Sequence, residues 1–170
     1  MDEATKSKVD LVRQIVVPSG ARGLSTLARI DYQDAFLVNI DPDAYQTAEQ
    51  WARAIFEDAP FDVRAALVAG WSALGLKLDK SRSGRSVLGW HVRDSAPDYV
   101  LLGADSRIGM PGELLVKCEP DALLFATFVQ HDNLIARGVW AAVEAKHVRT
   151  VRDVLNEASR RIQPATRKIR

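Results

Sequence analysis

The chain has 170 residues, 47% of them hydrophobic and 26% charged, with a formal net charge of +1. That length suits one domain with its own core, and near-zero charge excludes a strong pull toward nucleic acid or an anionic membrane. The lone cysteine, Cys118, excludes an internal disulfide, and no stretch nears the roughly 18 apolar residues of a membrane span.

The opening "MDEATKSKVD" has early acids and no continuous apolar run, so no secretory signal is expected. The expectation is a cytoplasmic protein. "VDLVRQIVVPSG" then breaks at Pro18, Ser19 and Gly20, and residues 1–27 read as an N-terminal arm, with or without a short helix. In "DYQDAFLVNI", Tyr32, Phe36, Val38 and Ile40 share one parity, with Asp34 as the exception, which predicts a strand over about 30–40. "DPDAY" turns the chain. Thr47 and Gln50 have the spacing of a capping box ahead of a helix carrying Trp51, Ala54 and Ile55, which Pro60 stops. A second helix starts near Asp62, with Val63, Leu67, Gly70, Trp71 and Leu74 at helical spacing and Gly75 as its end signal.

"DKSRSGRS" (79–86) is a basic Ser/Gly loop without the spacing of a P-loop, so it reads as a solvated connection. From residue 86 the period falls to two. "SVLGWHVRD", "YVLLGADS", "ELLVKCE", "ALLFATFVQ" and "NLIARGVWAAV" read as five strands of an antiparallel meander, the last two forming a hairpin around His131 and Asp132. The last element, over 146–162, is a helix with Val148, Val151, Leu155, Ala158 and Ile162 on one seam. Arg149, Arg152, Asp153, Asn156, Arg160 and Arg161 take the other face. Pro164 ends it, and 164–170 is a basic tail.

The predicted fold class is α+β: a curved antiparallel sheet wrapped around a long C-terminal helix, with two short helices after the first strand. This order, together with "DYQDAF" and the Trp-bearing helix pair, resembles a bacterial branch of the START-like, or helix-grip, superfamily, over roughly residues 28–163. That superfamily includes polyketide cyclases and plant allergen-type binding proteins. Six strands are legible here, against the seven usual in it. The resemblance implies a hollow between sheet and helix.

Chemistry-bearing residues are sparse. His91, His131 and His147 stand apart from one another and from Cys118, so no metal site is expected. No nucleophile elbow, Cys–His arrangement or zinc-protease motif occurs, and no cofactor is expected. The ligand-facing candidates are Trp90, Trp140, Gly138, Arg137, Phe125 and Val116. Trp90 and Trp140 are read on strands, where an indole suits a flat apolar ligand. Arg137 reads as either a solvent-facing cation or an inward anchor for an acid or phenolate. Gly138 would leave room for a ligand or for close approach of the last helix.

Three functions remain open at this point. The first is binding of a small apolar ligand between sheet and helix. The second is a cyclase- or hydrolase-type enzyme in the same hollow, with Asp34, His91 and Asp105 as proton-transfer candidates. The third is an interaction domain with a filled core, working through the arginine-rich helix face or the 79–86 loop. Neither nucleic acid nor a membrane span is expected, and oligomeric state is left open.

Overall fold

The computed structural model describes residues 11–162 except positions 42 and 82. Residues 1–10 of the expected arm, Pro164 and the basic tail lie outside that range. Val12–Ile15 (β1) pairs antiparallel with Tyr32–Asn39 (β2). β2 pairs along its whole length with Ala122–Val129 (β8), Tyr32 facing Val129 and Asn39 facing Ala122. The ladder continues through Gly112–Cys118 (β7), Tyr99–Ser106 (β6), Trp90–Ala96 (β5) and Ser86–Val87 (β4). Leu76–Lys77 (β3) attaches beside β6. All these pairings are antiparallel. The helices are Ser19–Arg22 (α1), Ala48–Phe56 (α2), Phe61–Ala73 (α3) and Leu134–Ile162 (α4). The fold is therefore α+β, an open curved antiparallel sheet with a long C-terminal helix.

Three expectations are corrected. The segment 133–143 is not a strand. Residues 134–143 are the first third of α4, which runs for 29 residues from Leu134. β8 already has β2 on one side and β7 on the other, so no edge beside it is free for a further strand. The Asn133 side chain instead accepts the Ala136 backbone N–H at 2.8 Å, an N-cap. Ala136, Trp140, Val143 and His147 follow at helical spacing on the sheet side. Second, α2 and α3 follow β2 rather than the first strand, because part of the expected arm supplies β1. Third, "SVLGWHVRD" is two strands with a turn between them, where Leu88 has φ 46° and Gly89 φ 91°.

Both faces of the sheet are covered. The inner face packs Phe36, Leu114, Val116, Phe125 and Trp90 against Trp51, Ile55, Val154, Leu155 and Ala158 of the helices. The outer face packs Ala35, Leu101, Leu115, Leu124 and Phe128 against Ala21, Leu24 and Leu27. This is why the central strands are apolar on both parities. Glu113, on the outer parity, is fully buried under residues 25–26 rather than solvated.

The capping box forms as expected. Thr47 Oγ1 accepts the Gln50 N–H at 3.2 Å, and Gln50 Oε1 accepts the Thr47 N–H at 2.9 Å. Thr47→Ala is expected to lower stability by about 1 kcal/mol in urea unfolding. An unchanged midpoint would show that the cap carries no weight. Gly75, in left-handed backbone at φ 81°, ends α3.

Candidate functional site

Asp34 breaks the apolar parity of β2, and the structure places it on the inner face beneath α4. It is 4% exposed. His147 descends from α4 and sets Nε2 2.9 Å from Asp34 Oδ2. The Tyr32 hydroxyl donates to the same oxygen at 2.7 Å. Burial, and then this hydrogen bond, push the Tyr32 phenol above its ordinary range, so it remains a donor. Trp140 packs on both partners, with ring centroids 4.7 Å from Tyr32 and 5.0 Å from His147. Thr127 lies directly across the ladder from Asp34 and is also buried.

The satisfaction of this cluster is uneven. Asp34 Oδ2 takes two contacts, while Asp34 Oδ1, Thr127 Oγ1 and Trp140 Nε1 are buried without a hydrogen-bond partner. Such groups cost about 1–3 kcal/mol each when left unpaired; others lie elsewhere, at Gln33, Arg64, Trp90, His131 and Ser159, but here three stand beside one hydrogen-bonded cluster.

A hollow of ≈ 40 Å³ adjoins the cluster. Phe56 of α2, Leu67 and Trp71 of α3, Leu114 and Phe125 of the sheet, and His147, Val151 and Leu155 of α4 line it. Its link to the polar group is direct: Leu114 faces Thr127 across the β7–β8 ladder, and His147 belongs to both. Small-molecule pockets usually measure about 300–1,000 Å³, so in this conformation the hollow is nearly closed. Its cover is α3. That helix is apolar along most of its length, yet only Leu67 is buried, and Phe61 is 78% exposed.

The sequence-derived residues divide into two groups. Phe125, Val116 and Trp90 lie on the inner face, and Phe125 lines the hollow directly. Trp90 reaches it through Trp71, with ring centroids 5.4 Å apart. Trp140 is on α4, not on a strand, and stands beside the polar cluster. Arg137 and Gly138 are corrected from strand to helix, where both face solvent; a Cβ on Gly138 would meet nothing within 4 Å. Neither lines the hollow. Among the proton-transfer candidates only Asp34 is in the cluster. His91 is exposed on β5, and Asp105 pairs with Arg93 on the outer face at 3.1 Å.

Tyr32, Thr127 and His147 were missed as a set. Thr127 and Asp34 each carry the same signal, a polar side chain on an otherwise apolar parity. His147 is readable only with the helix begun at Leu134, after the Asn133 cap.

Among the described residues no group of three His, Cys, Asp or Glu side chains could hold a metal ion, and no helix is long and apolar enough to cross a membrane. Compared with known proteins, the chain matches no family model, no curated protein and no solved structure.

Proposed function

We propose that the protein binds a small, mainly apolar molecule between the sheet and α4, in the hollow that α3 covers. The observation that carries this reading is α3 itself. An apolar helix normally buries its apolar surface. This one fully buries only Leu67 and half-buries Val63 and Trp71, and with Leu67 and Trp71 it closes a hollow lined from the other side by Phe56, Leu114 and Phe125. Moving α3 outward would enlarge the hollow at the cost of the Leu67 and Val63 packing and of the Trp71 ring contacts with Phe56 and Trp90, which a bound apolar molecule would replace. The order of strands and helices supports the same reading, since it resembles the helix-grip arrangement of the START-like superfamily. A single cysteine supports work in the cytoplasm, where thiols stay reduced.

Equilibrium dialysis against naphthalene tests the reading. Saturable binding at one site per chain is expected, with slower amide exchange along α3 in the bound state. Failure of naphthalene and of its polar derivatives alike to bind would favour the interaction-domain reading.

A second reading rests on the His147–Asp34 contact. A buried carboxylate that orients an imidazole is a common acid–base arrangement, and His147 keeps 18% of its side-chain surface exposed at the edge of the hollow. In that reading His147 exchanges the proton and Asp34 positions it. Turnover of a bound molecule that is lost in His147→Gln would support it.

A further inference from the structure

Resting on the ligand reading above, we infer that the bound molecule carries a neutral hydroxyl, as an alcohol or phenol, and that Asp34 and Thr127 receive it. Asp34 Oδ1 and Thr127 Oγ1 are both unpartnered, on residues each 96% buried, and their residues face each other in the β2–β8 ladder. Directly opposed residues place their Cβ atoms about 5 Å apart, so one small group can touch both side chains.

The chemistry of the two atoms narrows the class. Asp34 already takes the Tyr32 hydroxyl and the His147 ring on Oδ2, which leaves Oδ1 as the free acceptor. An acceptor calls for a donor. Thr127 can give or take a hydrogen bond. Trp140 Nε1, also buried and unpartnered beside this cluster, can only donate. A hydroxyl both gives and accepts, and so meets an acceptor and a donor in one atom. A carboxylate cannot donate to Oδ1, and it would add a second acid beside Asp34. A bare hydrocarbon would leave all three atoms unpaired. The apolar remainder of the molecule then lies along Leu114 and Phe125, the next inner-face neighbours of Thr127 on β7 and β8.

Three probes of one shape separate these cases: 2-naphthol, naphthalene and 2-naphthoate, each measured by equilibrium dialysis on the wild-type chain. The expected order is 2-naphthol about tenfold tighter than naphthalene, the worth of one good buried hydrogen bond, with 2-naphthoate the weakest. Thr127→Val, nearly equal in shape, should reduce the preference for 2-naphthol and leave naphthalene unchanged. Equal affinities for 2-naphthol and naphthalene would overturn the inference while the apolar-ligand reading stands. Tightest binding of 2-naphthoate would overturn it also. If no probe binds, the ligand reading falls and takes the inference with it. The wild-type series decides the matter even if Thr127→Val does not fold.

Discussion

Leu155→Ala is expected to destabilise the protein by about 4 kcal/mol in urea unfolding, near the upper part of the range for buried leucines. Leu155 is 1% exposed and sits between two hollows, of ≈ 20 and ≈ 40 Å³, lining both. Truncation would join them into a larger void, and the cost of a leucine truncation rises with the volume left behind. The enlarged space is walled by Phe56, Phe125, Trp51 and Ile55, and dry apolar voids of this kind bind aromatic guests. The variant should therefore bind naphthalene more tightly than the wild type even as it unfolds more easily. A loss below about 1 kcal/mol would mean that α4 does not press on the sheet at this point.

Arg152→Ala provides the contrast. It occupies what the helical seam marks as the polar face, yet its guanidinium lies 5.7 Å from the Phe36 ring centroid and reaches Gln14 at 3.5 Å. A loss of about 1 kcal/mol is expected, well short of the loss at Leu155.

Glu113→Ala is expected to cost about 3 kcal/mol, from the opposite side of the sheet. Glu113 is fully buried. Its carboxylate accepts Ser25 Oγ at 2.5 Å, the Thr26 N–H at 3.1 Å, and the Thr26 hydroxyl, and it pairs with Arg93 at 3.0 Å. Removal would strand these donors and release residues 25–26 from the strands they cover. Gly103 explains how Arg93 arrives there. It sits opposite Glu113 in the β6–β7 ladder, and a Cβ on it would occupy the space of the Arg93 side chain. Gly103→Val should therefore reproduce much of the Glu113→Ala loss, with no change made to either charge. Chemical denaturation of the three proteins checks this, and a neutral Gly103→Val would contradict the proposed path of Arg93.

Much of the fold was legible because most of its elements announce themselves locally. Thr47 and Gln50 marked the start of α2, Gly75 the end of α3, and the alternation of Leu114, Val116 and Cys118 the strand β7. The segment 133–143 failed because a mixed run such as "NLIARGVWAAV" supports either period. What decided it was nonlocal: both neighbours of β8 were taken, by β2 and β7. The cap at Asn133 was a local signal, hidden because "QHDN" also reads as a hairpin turn. In fact Asp31, whose carboxyl Arg29 and the His131 N–H hold down to about 2, ties this turn to the start of β2.

The candidate site was less legible for the same reason. Asp34 stood out as a polar residue on an apolar parity, but its partners are 93 and 113 positions away at Thr127 and His147. Strand parity places Arg137 on one face and Gly138 with Trp140 on the other. On a helix that parity has no meaning, so only Trp140 falls beside the cluster.

On the proposed reading, a ligand enters between α3 and the inner face and reaches Asp34 and Thr127. A titration of ¹⁵N-labelled protein with 2-naphthol, followed by two-dimensional NMR, tests it most directly. Saturable shifts are expected at the indole N–H groups of Trp71 and Trp140 and at the amides of Leu67, Leu114, Thr127 and His147, with the indole of Trp51 little changed. Shifts confined to the exposed loops and the outer face, or none at all, would contradict it.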